Sequence, residues 1–354
     1  MGFFKKLFGN ANQPTGSLVK LEEHPAGLDI FTMGTNIVAS TTEKGKEIFI
    51  WDAATGDQKG SLKGHAKKIN NLAFTKDGSL LLSASEDKTI RVWDVLDLKE
   101  IKKIPFTRAV KCMACDLKGE RAFIGADDNR IHVLDLINGK ESSIIPIGEK
   151  DIKTKDVKKA LGDINEIASS SDGTQIAALY TEWPGIICWR LGETTKITLV
   201  PSSFKFFSLC FSANDDFIIA CGGAFSLQMD GKGNLSEITE SNLGGAVLIK
   251  QTGGAEGSET AQIGGIFYSH CGWMADTNEV LILATSPPFK NNNLKKAINA
   301  YEIEDIFADE LKRPKWKNNL LPGFLIEKGT FSSTGSFYGM KLNDTLHIWQ
   351  FSKR

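Results

Sequence analysis

Cys112 and Cys115 make the chain's only Cys-x-x-Cys pair, a spacing used by zinc sites and dithiol redox centres. A zinc site of this kind needs a second such pair, and none is present. In a strand the two side chains also point to opposite faces. The five histidines stand at 24, 65, 132, 270 and 347, far apart, with no His-Glu-x-x-His among them. His132 and His347 hold like places near the ends of two strand-like runs, which reads as packing or a solvent face. His270 and Cys271 are adjacent, a poor geometry for a catalytic pair. Asp230, Asn234 and Glu237 resemble a calcium loop only in part, because Lys232 sits where an oxygen ligand is required. No Gly-rich run ends in Gly-Lys-Ser/Thr, no Gly-x-Gly-x-x-Gly joins a strand to a helix, and no Gly-x-Ser-x-Gly elbow occurs. The residues name no catalytic group, no metal site and no cofactor.

The elements that would position any site come from composition and period. The chain has 354 residues, 41% hydrophobic and 24% charged, enough apolar material for a full core. Forty-two Lys and Arg against 43 Asp and Glu argue against general nucleic-acid binding. The six cysteines do not make a disulfide framework, and no export signal precedes them. Reduced thiols and a cytoplasmic location are expected. The longest apolar runs, such as Val280–Ala284, are far below the ~20 residues of a spanning helix.

Apolar runs end in Trp51-Asp52, in Trp93-Asp94 42 residues later, and in Leu134-Asp135 another 41 on. Trp189 and Trp349 close similar runs. A period of about 40–45 residues marks propeller blades of four short strands. The clearest unit runs from Gly64 to Lys103. Gly64-His65, 27 residues, then Trp93-Asp94, with Asp87 and Ser83 between, resembles a complete repeat of the WD-repeat (Trp-Asp repeat, WD40-type) β-propeller family. That resemblance implies a structural tetrad in which Asp87 binds His65, His65 binds Ser83, and Ser83 binds the indole of Trp93. A buried indole and a buried imidazole each need partners.

The pattern gives an all-β, seven-bladed propeller over residues 17–354, six or eight blades being the alternatives. Blades one to three span His24–Lys63, Gly64–Lys103 and Pro105–Ile147. Later blades begin near Ile164, Phe206, Ile266 and Leu325. The last runs out after three strands, and Ser17–Glu22 is expected to supply its fourth. The connector Gly148–Gly162 and the loops Gly222–Gly245, Gly253–Gly265 and Asp305–Gly323 depart from the pattern. Gly222–Gly245 reads as a long hairpin and Ile306–Leu311 as a short helix.

Residues 1–16 are read as an apolar leader and flexible tether. Phe3, Phe4, Leu7 and Phe8 share one helical face, with Lys5 and Lys6 opposite. The leader can dock weakly on a membrane surface, insert into a partner, or fold back on the propeller. In the family, partners engage the top face. Carried onto this chain, the partner-binding candidates are Lys68, Asn70, Glu86, Arg108, Lys111, Asp127, Glu182, Trp183, Lys205 and Phe206. Trp183, in a turn beside Pro184, reads as an exposed anchor. The expected function is a non-catalytic scaffold or adaptor that binds proteins. The alternatives are a peripheral membrane recruiter acting through the leader and an enzyme with its site at the channel mouth.

Overall fold

The computed structural model describes residues 16–20, 28–145, 161–192, 196–202, 205–212, 214–229, 235–250, 259–265, 268–274, 279–286, 295–302, 316–319, 328–342 and 345–351. The leader candidates Phe3, Phe4, Leu7 and Phe8, the segment 306–311 and most of the connector 148–162 lie outside them.

The regular elements are strands. β1 (Gly16–Lys20) precedes a first sheet of β2 (Leu28–Met33), β3 (Ile37–Thr42), β4 (Glu47–Asp52) and β5 (Gln58–Lys63). The second holds β6 (Ile69–Phe74), β7 (Leu80–Ser85), β8 (Thr89–Asp94) and β9 (Lys99–Pro105). The third holds β10 (Val110–Cys115), β11 (Arg121–Ala126), β12 (Ile131–Asp135) and β13 (Lys140–Ile145). The fourth holds β14 (Ile164–Ser169), β15 (Gln175–Tyr180), β16 (Gly185–Arg190) and β17 (Lys196–Pro201). The fifth holds β18 (Phe206–Phe211), β19 (Phe217–Met229), β20 (Leu235–Lys250) and β21 (Glu259–Gly265). A further sheet holds β22 (Tyr268–Met274), β23 (Glu279–Ser286), β24 (Lys295–Glu302) and β25 (Trp316–Asn319). In the last, β26 (Lys328–Phe331), β27 (Phe337–Leu342) and β28 (Thr345–Phe351) lie in order, and β1 pairs antiparallel with β28.

Successive first strands touch in a circle, β2 to β6, β10, β14, β18, β22, β26 and back to β2, around a central channel. Middle strands are buried almost throughout, as in β8 (TIRVWD), because both of their faces meet a neighbouring sheet. Leu82, Ile90 and Ile104 thus meet Met113, Ile124 and Leu134 of the next sheet. Leu28, Val38 and Trp51 meet Phe337, Leu346 and Ile348. The outer strand β9 (KEIKKIP) is mostly exposed, and its lysines blunt an edge that would otherwise invite pairing.

Two expectations change here. Glu259–Gly265, read as part of a small-residue loop, is the strand β21, because β20 offers it an unpaired edge along Gly244–Lys250. Trp316, read as part of a loop, opens β25.

A polar turn recurs between first and second strands. Thr75 Oγ1, Asp116 Oδ2, Ser170 Oγ, Ser212 Oγ and Ser332 Oγ each accept the backbone N–H five residues on, at 3.1, 3.1, 2.9, 3.0 and 3.1 Å. The turns need one left-handed residue, supplied by Gly78, Gly119, Gly173 and Gly335, and in one case by Asp215 (φ 61°). At the same end of the sheets, the Asp that ends the third strand in the first three sheets caps the next turn. Asp52 Oδ1 accepts from Ala54 and Thr55 at 2.9 and 3.1 Å, and Asp94 Oδ1 from Leu96 and Asp97 at 3.0 and 2.9 Å. That is why Asp follows the Trp in these runs.

Candidate partner-binding face and the second-sheet network

The four residues singled out in the second sheet form a continuous buried chain. His65 Nδ1 lies 2.8 Å from Asp87, His65 Nε2 lies 2.7 Å from Ser83 Oγ, and Trp93 Nε1 donates to Ser83 Oγ at 2.8 Å. One proton arrangement satisfies every group. Nδ1–H donates to the carboxylate, Ser83 donates to Nε2, and Ser83 accepts from the indole. Asp87 also accepts from Ala66 N–H at 3.0 Å and from Thr89 Oγ1 at 2.6 Å. Burial raises the carboxyl of Asp87, but the hydrogen bonds from Thr89, Ala66 and His65 together hold it well below the usual range. Burial lowers His65, and the Asp87 carboxylate offsets only part of that. The imidazole is therefore neutral and fixed: it holds the blade together.

The channel-facing end is built differently. In β2, β6, β10, β14, β18 and β22 the pairing with the second strand slips by one residue, at Leu28/Ile30, Ile69/Asn71, Val110/Cys112, Ile164/Glu166, Phe206/Ser208 and Tyr268/His270. A bulge leaves one residue unpaired and re-aims its side chain. Those residues include Asp29, Asn70, Lys111, Asn165 and Phe207. Lys111, Asn165 and Phe207 are exposed, Asp29 and Asn70 half-buried. Phe207 is 42% exposed, and with Asn165 it lines the channel cavity of about 770 Å³. Glu166, next in the chain, is half-buried on the same void, and burial pushes its carboxyl well up. Away from these bulges, at the polar turns, the channel is bridged: Lys76 Nζ reaches Asp215 at 2.7 Å and Ser171 Oγ at 3.1 Å.

The sequence candidates fall around this face unevenly. Glu86 and Asp127 are exposed beside their turns. Arg108 pairs with Asp128 at 3.3 Å, Lys111 with Asp163 at 3.3 Å, and half-buried Lys68 with Asp29 at 3.0 Å. Exposed Glu182 and Lys205 approach each other only to 4.0 Å. Two are corrected. Phe206 is 5% exposed and packs in the core with Leu209, Phe211 and Ile218, so the bulge hands the surface to Phe207. Trp183 is not an exposed anchor: it is half-buried, packs on the core around Ile164 and Trp189, and lies over Gly185. Asp29, Asn165 and Phe207 were missed. The 41-residue step from 29 to 70 to 111 is the signal that finds the first.

Cys112 and Cys115 are buried in separate cores on opposite faces of β10. Among the described residues no group of three or more His, Cys, Asp or Glu could hold a metal ion.

Residues 56–94, the stretch carrying all four residues of the network, match the family model described as "WD domain, G-beta repeat". The chain is a WD40-type β-propeller. Over 117 residues it is 32% identical to the Periodic tryptophan protein 2 homolog of Schizosaccharomyces pombe, covering 33% of this chain and 14% of that protein. Over 105 residues it is 39% identical to the pre-mRNA-splicing factor cwf17 of the same organism, covering 29% of this chain and 31% of that one. The propeller thus spans less than a third of either relative in these matches. The solved RRP9 WD40 repeats share its fold with a TM-score of 0.62 at 12% identity, over 96% of this chain and 99% of theirs. The beta-propeller domain of Myceliophteria thermophila Cps50 (Swd1) gives 0.62 at 12%, over 93% and 98%. The expected cytoplasmic or membrane-peripheral location is corrected by these relatives. One of them is named a pre-mRNA-splicing factor, and pre-mRNA splicing is a nuclear process.

Proposed function

We propose that the chain is a non-catalytic protein-interaction scaffold: residues 17–354 form a seven-bladed ring, β1 closes the last blade, and residues 1–16 form an attached leader. A partner protein sits on the channel face that carries the bulges. The observation behind this reading is the repeated one-residue slip, which leaves one residue unpaired near the start of the first strand in six sheets and, in two of them, puts an exposed Asn165 or Phe207 on the channel. Phe207 is the apolar anchor of this site, Lys111, Asn165 and Asn70 give it polar definition, and Glu86, Arg108, Asp127, Glu182 and Lys205 form its rim. A large exposed aromatic ringed by polar groups is the usual composition of a hot spot. The splicing-factor name of one relative fits a scaffold inside a larger assembly.

The test is affinity capture from the native host with wild type, Phe207→Ala, Lys111→Glu and, on the turn between the third and fourth strands of the second sheet, Leu96→Asp. Leu96 is 79% exposed, so its replacement serves as a surface control. Phe207→Ala should weaken capture by about 30-fold or more, the equivalent of a ~2 kcal/mol hot spot, without a change in melting temperature. Leu96→Asp should leave capture intact. Capture that survives both face variants would reject this surface.

A further inference from the structure

Three cysteines converge where the fifth sheet meets β22. Cys210 lies on β18, Cys221 on β19 and Cys271 on β22. The Cys210 and Cys271 sulfurs are 3.8 Å apart. The Cys221 thiol also hydrogen-bonds to Cys271. Ser208 holds the far side of the trio: its Oγ accepts from the Cys271 N–H at 3.3 Å and lies 3.6 Å from the Cys271 sulfur. Cys210 and Cys271 both line the channel cavity, and Cys210 is half-buried there. Cys115 also lines the cavity, but its thiol donates to the Phe74 carbonyl at 3.1 Å, and Cys112 packs in the core around Ile131 and Trp189. All six cysteines are free. The three neighbours also differ among themselves. Burial raises Cys271, but hydrogen bonds from Cys210, Cys221 and Ser208 outweigh it and draw this thiol below the ordinary value. Burial pushes Cys210 and Cys221 up. Thiolate character concentrates on the sulfur that has a second thiol in van der Waals contact.

We propose that Cys210 and Cys271 are a redox-modification pair, which peroxide entering the channel converts to a disulfide tying β18 to β22. The Cys271 thiolate attacks one peroxide oxygen, the O–O bond breaks, and hydroxide leaves with the electron pair, giving a sulfenic acid. The Cys210 sulfur then attacks the Cys271 sulfur, an S–S bond forms, and the sulfenic oxygen departs as water. Two thiols lose two electrons in all, and one peroxide is reduced to two waters. The sulfurs must close from contact to about 2.05 Å, a motion within reach of side-chain rotation on two adjoining strands. Cys221 is the competing partner. It is fully buried behind β18, whereas Cys210 meets the void from which the oxidant arrives.

The experiment treats the full chain with stoichiometric hydrogen peroxide, alkylates the remaining thiols, and maps peptides without reduction. The expected result is a linked peptide joining 210 to 271 in wild type and in Cys221→Ser, with two of the six thiols lost. Dithiothreitol should abolish the link, and Cys210→Ser and Cys271→Ser should lack it. An unchanged thiol count, a 221–271 link in place of 210–271, or sulfinic acid on Cys271 with no link would each overturn the proposal. The wild-type map decides between these outcomes even if a serine variant fails to fold.

Discussion

The second and third sheets answer the same packing problem in two chemistries. Forty-one residues apart, His65 corresponds to Phe106, Ser83 to Ile124 and Trp93 to Leu134, while Asp87 corresponds to Asp128. Ser83 faces Arg91 across the strand pair as Ile124 faces His132, so the registers agree. In one sheet three polar side chains join in a closed network. In the other all three are apolar, and Phe106 packs edge-on against His132 at 5.6 Å. The Asp survives in both because it also braces its own turn. Thr89 N–H donates to Asp87 at 3.1 Å, and Arg130 N–H to Asp128 at 3.2 Å. Without a histidine at position 106, Asp128 takes His132 at 3.0 Å and Arg108 at 3.3 Å instead. His132 leans on Glu141 at 2.9 Å, as Arg91 pairs with Glu100. The blade therefore needs a filled, fully satisfied interior. It does not need this particular network. Buried polar groups must be all paired or all absent, since the half-made state is the expensive one.

The largest effects should come from mixing the two solutions. Ile124→Ser removes a fully buried side chain and leaves a hydroxyl without the histidine and indole that Ser83 enjoys. A loss of about 3–5 kcal/mol in urea unfolding is expected. Ser83→Ala leaves both His65 Nε2 and Trp93 Nε1 unpaired inside the sheet, and about 2–4 kcal/mol should go, at ~1–3 per orphaned group. If Ser83→Ala cost under about 0.5 kcal/mol, the network would not be holding the blade, and the comparison would fail.

A sharper trial converts one sheet into the other. The triple variant His65→Phe, Ser83→Ile, Trp93→Leu carries the third sheet's residues in the second. Each single change orphans a neighbour, whereas the triple orphans none except Asp87, which keeps its turn hydrogen bonds and has Arg91 at 4.0 Å. The three single losses should therefore sum to more than the triple by about 2 kcal/mol, a coupling of the size expected for residues in one network. Strict additivity would mean that the three act independently.

How much of this was legible before the fold was known depended on spacing. Gly64, His65, Ser83, Asp87, Trp93 and Asp94 stand at fixed intervals, so the second blade could be read completely. The polar turns at Thr75, Asp116, Ser170, Ser212 and Ser332 went unread, because the polar residue varies in type and the steps between the turns are unequal. The candidate face was less readable for a physical reason. A period-2 strand pattern assigns alternate faces, and one inserted residue reverses that assignment. Phe206 and Phe207 are equivalent by composition, and only the slip against Cys221 and Gly222 decides which is buried. Asn165 escaped because the connector before it breaks the 41-residue step. Trp183 misled because a turn position says nothing about what packs beneath it, and here Gly185 leaves room for the ring.

The smallest effect separates the two sheets by acidity. The fold lowers the pKa of His65, so the unfolded chain, with its imidazole near 6.5, binds the proton more tightly. Stability must then rise with pH across that value and fall on acidification below it, by at most about 1.4 kcal/mol per pH unit for one proton. Asp87 acts in a separate window. Its folded pKa is depressed, so its contribution is complete above the unfolded value near 3.9 and is lost only as pH falls toward the folded one. The triple variant keeps Asp87 and removes His65. Urea midpoints of wild type and triple variant, measured from pH 7.5 to 5, should converge as pH falls, because only wild type must hold a neutral imidazole against protonation. The other histidines are common to both proteins and cancel in the difference. Curves that stay parallel through this range would show that His65 is protonated in the fold as readily as out of it, and the neutral, doubly hydrogen-bonded imidazole would have to be abandoned.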